Sequence, residues 1–179
     1  ADAALTALLE PYRRKGGSDP YLLLSLPQDA SQDAVRARAR EARAELEALL
    51  KRSLPAAQRA QAEAVLTRVR EAGELLGPPE RRALYDAHRG NFRGVAACIA
   101  AGITVTRLEA LRSEHLAAHP GAAGKAHVFF LTAQAFERDG QQARAQESYE
   151  RALALDPLHL ELQQRYRALR RQPPARGSP

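Results

Sequence analysis

Apolar positions recur along most of this chain at alternating steps of three and four, the spacing of one face of an α-helix. Val35, Ala39, Ala42, Leu46 and Leu49 form one such seam, and Ala62, Val65, Val69, Ala72 and Leu76 form a second. Ser31 precedes the first as an N-cap, with Asp33 in the positive first turn, which predicts a helix running to about Arg52. The break Ser53-Leu54-Pro55 joins the two seams and predicts an antiparallel helical hairpin. Short elements flank it. Asp19 and Pro20 start a brief helix, Tyr21 to Leu26, while Gly77 and Pro78-Pro79 close the second long helix before a fourth at about Glu80 to His88. Upstream, the apolar segment Leu5 to Leu9 is expected to stop near Pro11 and pass into a linker, Arg13 to Ser18.

The second half has the same grammar. Helices are predicted at Val95 to Ala101, Val105 to Ala118, Ala123 to Arg138, Gln141 to Leu155 and Leu158 to Arg171. Gly102, His119-Pro120-Gly121, Asp139-Gly140 and Asp156-Pro157 punctuate them. Aromatic residues are only 5% and there is no Trp or Met, whereas Ala, Leu, Arg, Glu and Gln abound. A sheet core draws on β-branched and aromatic residues, so the expected class is all-α. The expected organisation is an N-terminal helix and linker (1–18), one helical module (19–90), a second (91–172) and a disordered tail (173–179).

Charge and composition exclude more than they assign. No apolar run approaches the ~20 residues of a membrane-spanning helix. The single cysteine, Cys98, rules out an intramolecular disulfide and suits a reducing, cytoplasmic setting. The chain opens on Ala1 without an initiator Met or a leader, as expected of a piece of a larger protein. Net charge is +6, and Lys15, Lys51 and Lys125 are the only lysines among 27 basic residues. Arg in place of Lys beside so much Ala is the composition of a GC-rich bacterial genome. Acidic residues are interspersed throughout, so the basic excess reads mainly as solvated helix faces. Binding of nucleic acid through these arginines is a weak second alternative, because the few aromatics that stack on bases are committed to packing.

Candidate chemistry is sparse. His115 and His119 stand four apart on one helix, a metal-binding spacing, but no third ligand is evident in the sequence, so no metal or other cofactor is expected. Cys98 lies among alanines as a small apolar residue, not an activated thiolate. No Gly-rich phosphate loop, nucleophile elbow or paired-carboxylate motif occurs, and the chain is not expected to be an enzyme.

Two family resemblances organise the rest. Tyr21-Leu22-Leu23-Leu24-Ser25-Leu26, then Asp29-Ala30-Ser31, and later Ala72 with Leu75-Leu76-Gly77-Pro78-Pro79-Glu80-Arg81-Arg82-Ala83-Leu84-Tyr85-Asp86, occur in order. On these residues, Asp19 to Gly90 resembles the J-domain of DnaJ-type co-chaperones. The resemblance implies a hairpin of two long helices bracketed by short ones. The His-Pro-Asp tripeptide that stimulates Hsp70 is missing: without gaps it falls on Glu47-Ala48-Leu49, inside the predicted helix, and Gly73 stands where the family has an aromatic. An active or regulatory Hsp70 partnership is therefore the alternative reading and not the leading one. True J-domains meet Hsp70 with a basic helix II face. Here Arg36, Arg40 and Arg43 form such a stripe, which is otherwise a solvated helix face.

Ala126 to Pro157 resembles a tetratricopeptide repeat through Phe129, Ala133, Phe136, Gly140, Ala145, Tyr149, Ala152 and Pro157, with Thr132 in place of the usual Leu. One repeat cannot bury its own apolar face. The helix with Leu108, Leu111 and Leu116 is expected to cover it on one side, and that with Leu162, Tyr166 and Leu169 on the other. In this family peptides lie along the first helix of each repeat, which implies His127, Phe130, Gln134, Glu137 and Arg138 as groove residues. Phe130 and Gln134 stand where a carboxylate clamp needs Lys and Asn, so that clamp is not expected. Phe130 is an aromatic outside the packing register and serves either the groove or a neighbouring helix. The expected function is non-enzymatic: a protein-interaction or scaffolding module that docks another protein or peptide.

Overall fold

The computed structural model describes residues 3–14 and 19–173. The expected linker residues 15–18 and the tail residues 174–179 lie outside them. Among the described residues there are ten helices and no strand: the fold is all-α. The chain divides into two compact units, Ala1–Arg82 and Ala83–Pro179.

The first unit holds α1 (Ala3–Arg14), α2 (Pro20–Leu23), α3 (Gln32–Leu50), α4 (Ala56–Leu76) and the start of α5 (Pro79–His88). The α3–α4 hairpin is its centre. Val35, Ala42, Leu46 and Leu49 on α3 and Ala62, Val65, Val69, Ala72 and Leu76 on α4 are buried; of the expected seam, Ala39 alone is partly exposed. Each fully buried Val or Leu contributes about 1.5–3 kcal/mol to holding the two helices face to face. Ser31 Oγ accepts from the amide of Ala34 at 3.2 Å, and Asp19 Oδ1 accepts from those of Tyr21 and Leu22. Two boundaries differ from expectation. α2 stops at Leu23 because the chain turns at Ser25, whose φ is +56°. α1 continues through Pro11 to Arg14, and the burial of Leu5, Leu9 and Tyr12 offsets the proline's lost amide donor.

Arg82 is a fully buried cation in this unit. Its guanidinium donates to Tyr21 Oη at 2.8 Å, Gln32 Oε1 at 3.2 Å and the Gln28 carbonyl at 3.2 Å. Gln32 Nε2 in turn donates to the Leu76 carbonyl at 2.7 Å and to that of Gly77, and Arg36 Nε donates to the Gly77 carbonyl at 3.1 Å. Carbonyls that α4 leaves open at its C-terminus are thus closed by α3 side chains. Gly77 accordingly keeps a helical φ of −68° and does not adopt the left-handed cap.

The second unit holds the rest of α5, then α6 (Phe92–Ala100), α7 (Val105–Ala118), α8 (Ala122–Arg138), α9 (Gln142–Leu155) and α10 (Leu160–Arg171). The division passes through α5, eight residues before the expected boundary, because Ala83 and Ala87 pack with Val95, Cys98, Leu108, Leu111 and Leu158. A second cluster gathers Ala133, Ala145, Tyr149 and Ala152 with Phe92, Leu162, Tyr166 and Leu169. The cover on the α8–α9 hairpin is therefore α10, as expected, together with Phe92 of α6; Leu108 and Leu111 belong to the other cluster. α10 starts at Leu160, two residues late, since His159 caps it through Nδ1. Gly140, at φ +72°, makes the tight α8–α9 turn in a conformation that suits glycine.

Candidate functional site

On the first unit, the arginines of α3 come together with α4 around a groove of about 430 Å³. Arg36, Arg40 and Arg43 form one wall, Arg70 and Glu74 contribute to the other, and Ala39, Val69 and Gly73 lie between. Helical spacing accounts for the wall, since positions i, i+4 and i+7 share a face. Gly73 accounts for the depth: a side chain there would start 3.5 Å from Ala39 Cβ, and without one the groove stays open. Glu47 receives Arg43 Nε at 2.8 Å and Arg70 Nη2 at 3.2 Å, and these bonds hold its carboxyl below the usual range. Arg40 is exposed and makes no hydrogen bond or ion pair among the described residues. The groove therefore presents cationic donors over an apolar floor, a surface suited to an acidic chain segment.

The α8 residues implied as a groove are less free. His127 and Arg138 are exposed and Gln134 is half-buried. The Glu137 carboxylate accepts from Tyr149 Oη within the α8–α9 hairpin; burial, reinforced by that carboxylate, raises the Tyr149 phenol above its ordinary range. Phe130 is half-buried against α9 and α10: its ring meets Tyr149 edge-on at 6.1 Å and stacks with His159 at 6.2 Å, and the Arg165 guanidinium lies 5.6 Å from its centroid. The aromatic thus joins its own fold's packing from the side of α10. Sequence reasoning passed over Val128 and Leu131, which are 62% and 50% exposed on the same helix. Thr132, between them in the chain, is exposed and donates to the Val128 carbonyl at 2.9 Å.

A third assembly arises from the fold alone. His88 ends α5, His115 lies in the last turn of α7 and His119 is its C-cap. His88 Nδ1 and His119 Nε2 are 2.9 Å apart, and each of the three rings offers a nitrogen within 4.8 Å of the other two. His115 is buried; its Nε2 meets the Leu155 carbonyl at 3.2 Å and its Nδ1 has no partner. Burial, with the neighbouring His119 and His88 adding to it, pushes the His115 imidazole below its ordinary pKa. The third imidazole that the sequence did not reveal is His88, 27 residues before His115. The ground for expecting no metal is removed. Nearby, Arg112 grips the buried Asp156 through two nitrogens, at 2.8–3.2 Å, tying α7 to the end of α9.

Comparison with known proteins adds one relative. Over 170 residues, 95% of the chain, the sequence is 50% identical to the serine/threonine-protein kinase Pkn1 of Myxococcus xanthus. The chain spans 24% of that relative's length. No protein-family model matches the chain, and no solved structure matches it. Among the described residues, no helix is long and apolar enough to cross a membrane.

Proposed function

We propose that this chain is a non-catalytic protein-interaction region that docks an acidic segment of another protein in the α3–α4 groove. The observation that carries the reading is the convergence of Arg36, Arg40, Arg43 and Arg70 on one groove, with the Arg40 side chain unpaired among the described residues. The order of α2 to α5, short, long, long and short, supports a J-like scaffold, and the α3–α4 turn carries no His-Pro-Asp. The α8–α9 hairpin, with small residues at its crossing and α10 against it, supports a tetratricopeptide-like second module. The likeness to a quarter of a serine/threonine-protein kinase supports placing such a module beside a catalytic domain in one polypeptide. Kinase chemistry itself needs a Gly-rich phosphate loop, a strand-borne Lys and a catalytic-loop Asp. An all-helical chain without a Gly-rich phosphate loop supports a docking role beside such machinery.

Quantitative affinity capture tests the reading, comparing the chain with Arg40→Glu/Arg43→Glu and with Phe130→Ala. A discrete set of protein partners lost on charge reversal and weakened by salt supports it. An identical set with every variant overturns it, as does phosphoryl transfer from ATP by the chain alone. Stimulation of a cognate Hsp70 ATPase favours the co-chaperone reading instead. Binding of RNA or DNA whose affinity falls steeply with salt favours the nucleic-acid one.

A further inference from the structure

We propose that His88, His115 and His119 form a three-imidazole site for a divalent transition metal, Zn²⁺ being the ion that the donor set fits best. The three rings come from two helix ends of the second unit, with ring centroids 4.4 to 5.4 Å apart. Nitrogens bound to one tetrahedral Zn²⁺ at about 2.0–2.1 Å stand roughly 3.3 Å from each other. The His88–His119 pair, at 2.9 Å, has only to open by a few tenths of an ångström. The widest pair, within 4.8 Å, closes by rotation of His88, which is exposed, and His119, which is half-buried.

His115 carries the strongest part of the argument. A carbonyl oxygen only accepts, so the bond from Nε2 to Leu155 places the ring proton on Nε2 and leaves the lone pair on Nδ1. That nitrogen is buried without a partner among the described residues, a costly arrangement. Coordination through Nδ1 satisfies it and keeps the Leu155 carbonyl as the outer partner that orients a metal-bound imidazole. Helix C-termini add a second, independent bias. α5 ends at His88, α7 is capped by His119, and α9 ends at Leu155, whose carbonyl meets His115, so the negative ends of three helices lie beside the cluster and favour a cation there. Water completes the tetrahedron, and the bound ion clamps the end of α5 to that of α7.

The test uses the full chain without an affinity tag, stripped with chelator and titrated with Zn²⁺ by calorimetry. One ion per chain is expected. His88→Gln and His119→Gln are each expected to weaken binding about 100-fold with the helical circular dichroism unchanged, since both side chains reach solvent. Co²⁺ in place of Zn²⁺ is expected to show the intense visible bands of a four-coordinate ion, lost in the His88→Gln/His119→Gln variant. Absence of saturable binding overturns the proposal. So does binding that survives in that double variant or is lost instead on His127→Gln, because the ion then sits elsewhere.

Discussion

Replacing Arg82 with methionine removes a buried cation while keeping most of the side-chain volume, and its cost follows from the guanidinium bonds to Tyr21, Gln32 and Gln28. Tyr21 Oη and Gln32 Oε1, both on buried residues, each lose a bond from a charged donor; the Gln28 carbonyl belongs to an exposed residue and recovers a bond from water. Each such bond to a charged group contributes about 1.5–3 kcal/mol. Relief of the desolvated guanidinium offsets part of this, so the net loss is about 2–4 kcal/mol. Set against a domain stability of about 5–15 kcal/mol, that is a large fraction. Urea unfolding followed by helical circular dichroism reads it as a lower midpoint at constant slope. Arg81→Met is the control, an exposed neighbour expected to change stability by less than about 0.5 kcal/mol. Combining Arg82→Met with Tyr21→Phe is expected to cost less than the sum of the two, because they share a bond. A loss below about 1 kcal/mol for Arg82→Met, or strict additivity in the pair, refutes the reasoning.

Two glycines of the second unit are expected to respond with opposite signs. A Cβ at Gly94 would stand 2.1 Å from Asp86 Oδ2 and 2.6 Å from Asn91 Nδ2, so Gly94→Ala lowers the melting temperature; at Gly124 it meets nothing within 4 Å, and Gly124→Ala stabilises α8 by about 0.5–1 kcal/mol. Stability is also expected to fall with acid. Burial lowers the pKa of His115, beside His88, His119 and Asp156, and of His159, beside Arg112, Asp156 and Glu161. The unfolded chain therefore binds the extra protons: stability is full above the ordinary imidazole value of 6.5 and is lost as pH falls from there through the lowered folded values. Urea midpoints at about pH 7.5 and about pH 5.5, with chelator present, measure this; a midpoint that does not drop, or a slope unchanged in His115→Gln, contradicts it. Finally, Asp156→Ala removes the carboxylate that Arg112 grips and opens a gap at the end of α9; because Arg112 reaches solvent, the expected cost is about 1–3 kcal/mol by the same unfolding assay, against little change for Glu147→Ala in the exposed Arg151–Glu147 pair.

Much of the architecture is readable from the sequence because helix formation is local. A seam at spacings of three and four, a capping Ser31 or Asp19, and a Gly140 turn each act within a few residues. So α3, α4 and α7 to α10 fall within about two residues of expectation. The stripe of Arg36, Arg40 and Arg43 is legible for the same reason, being one face of one helix. What tertiary structure decided is which faces meet. It set Arg70 and the bare Gly73 opposite that stripe, turned Phe130 against α10, and buried Arg82, a residue that looks like any surface arginine in sequence. It also brought His88 to His115 and His119. Three imidazoles on two helices leave no periodic trace, because their meeting depends on how α5 and α7 end in space and not on any spacing along the chain.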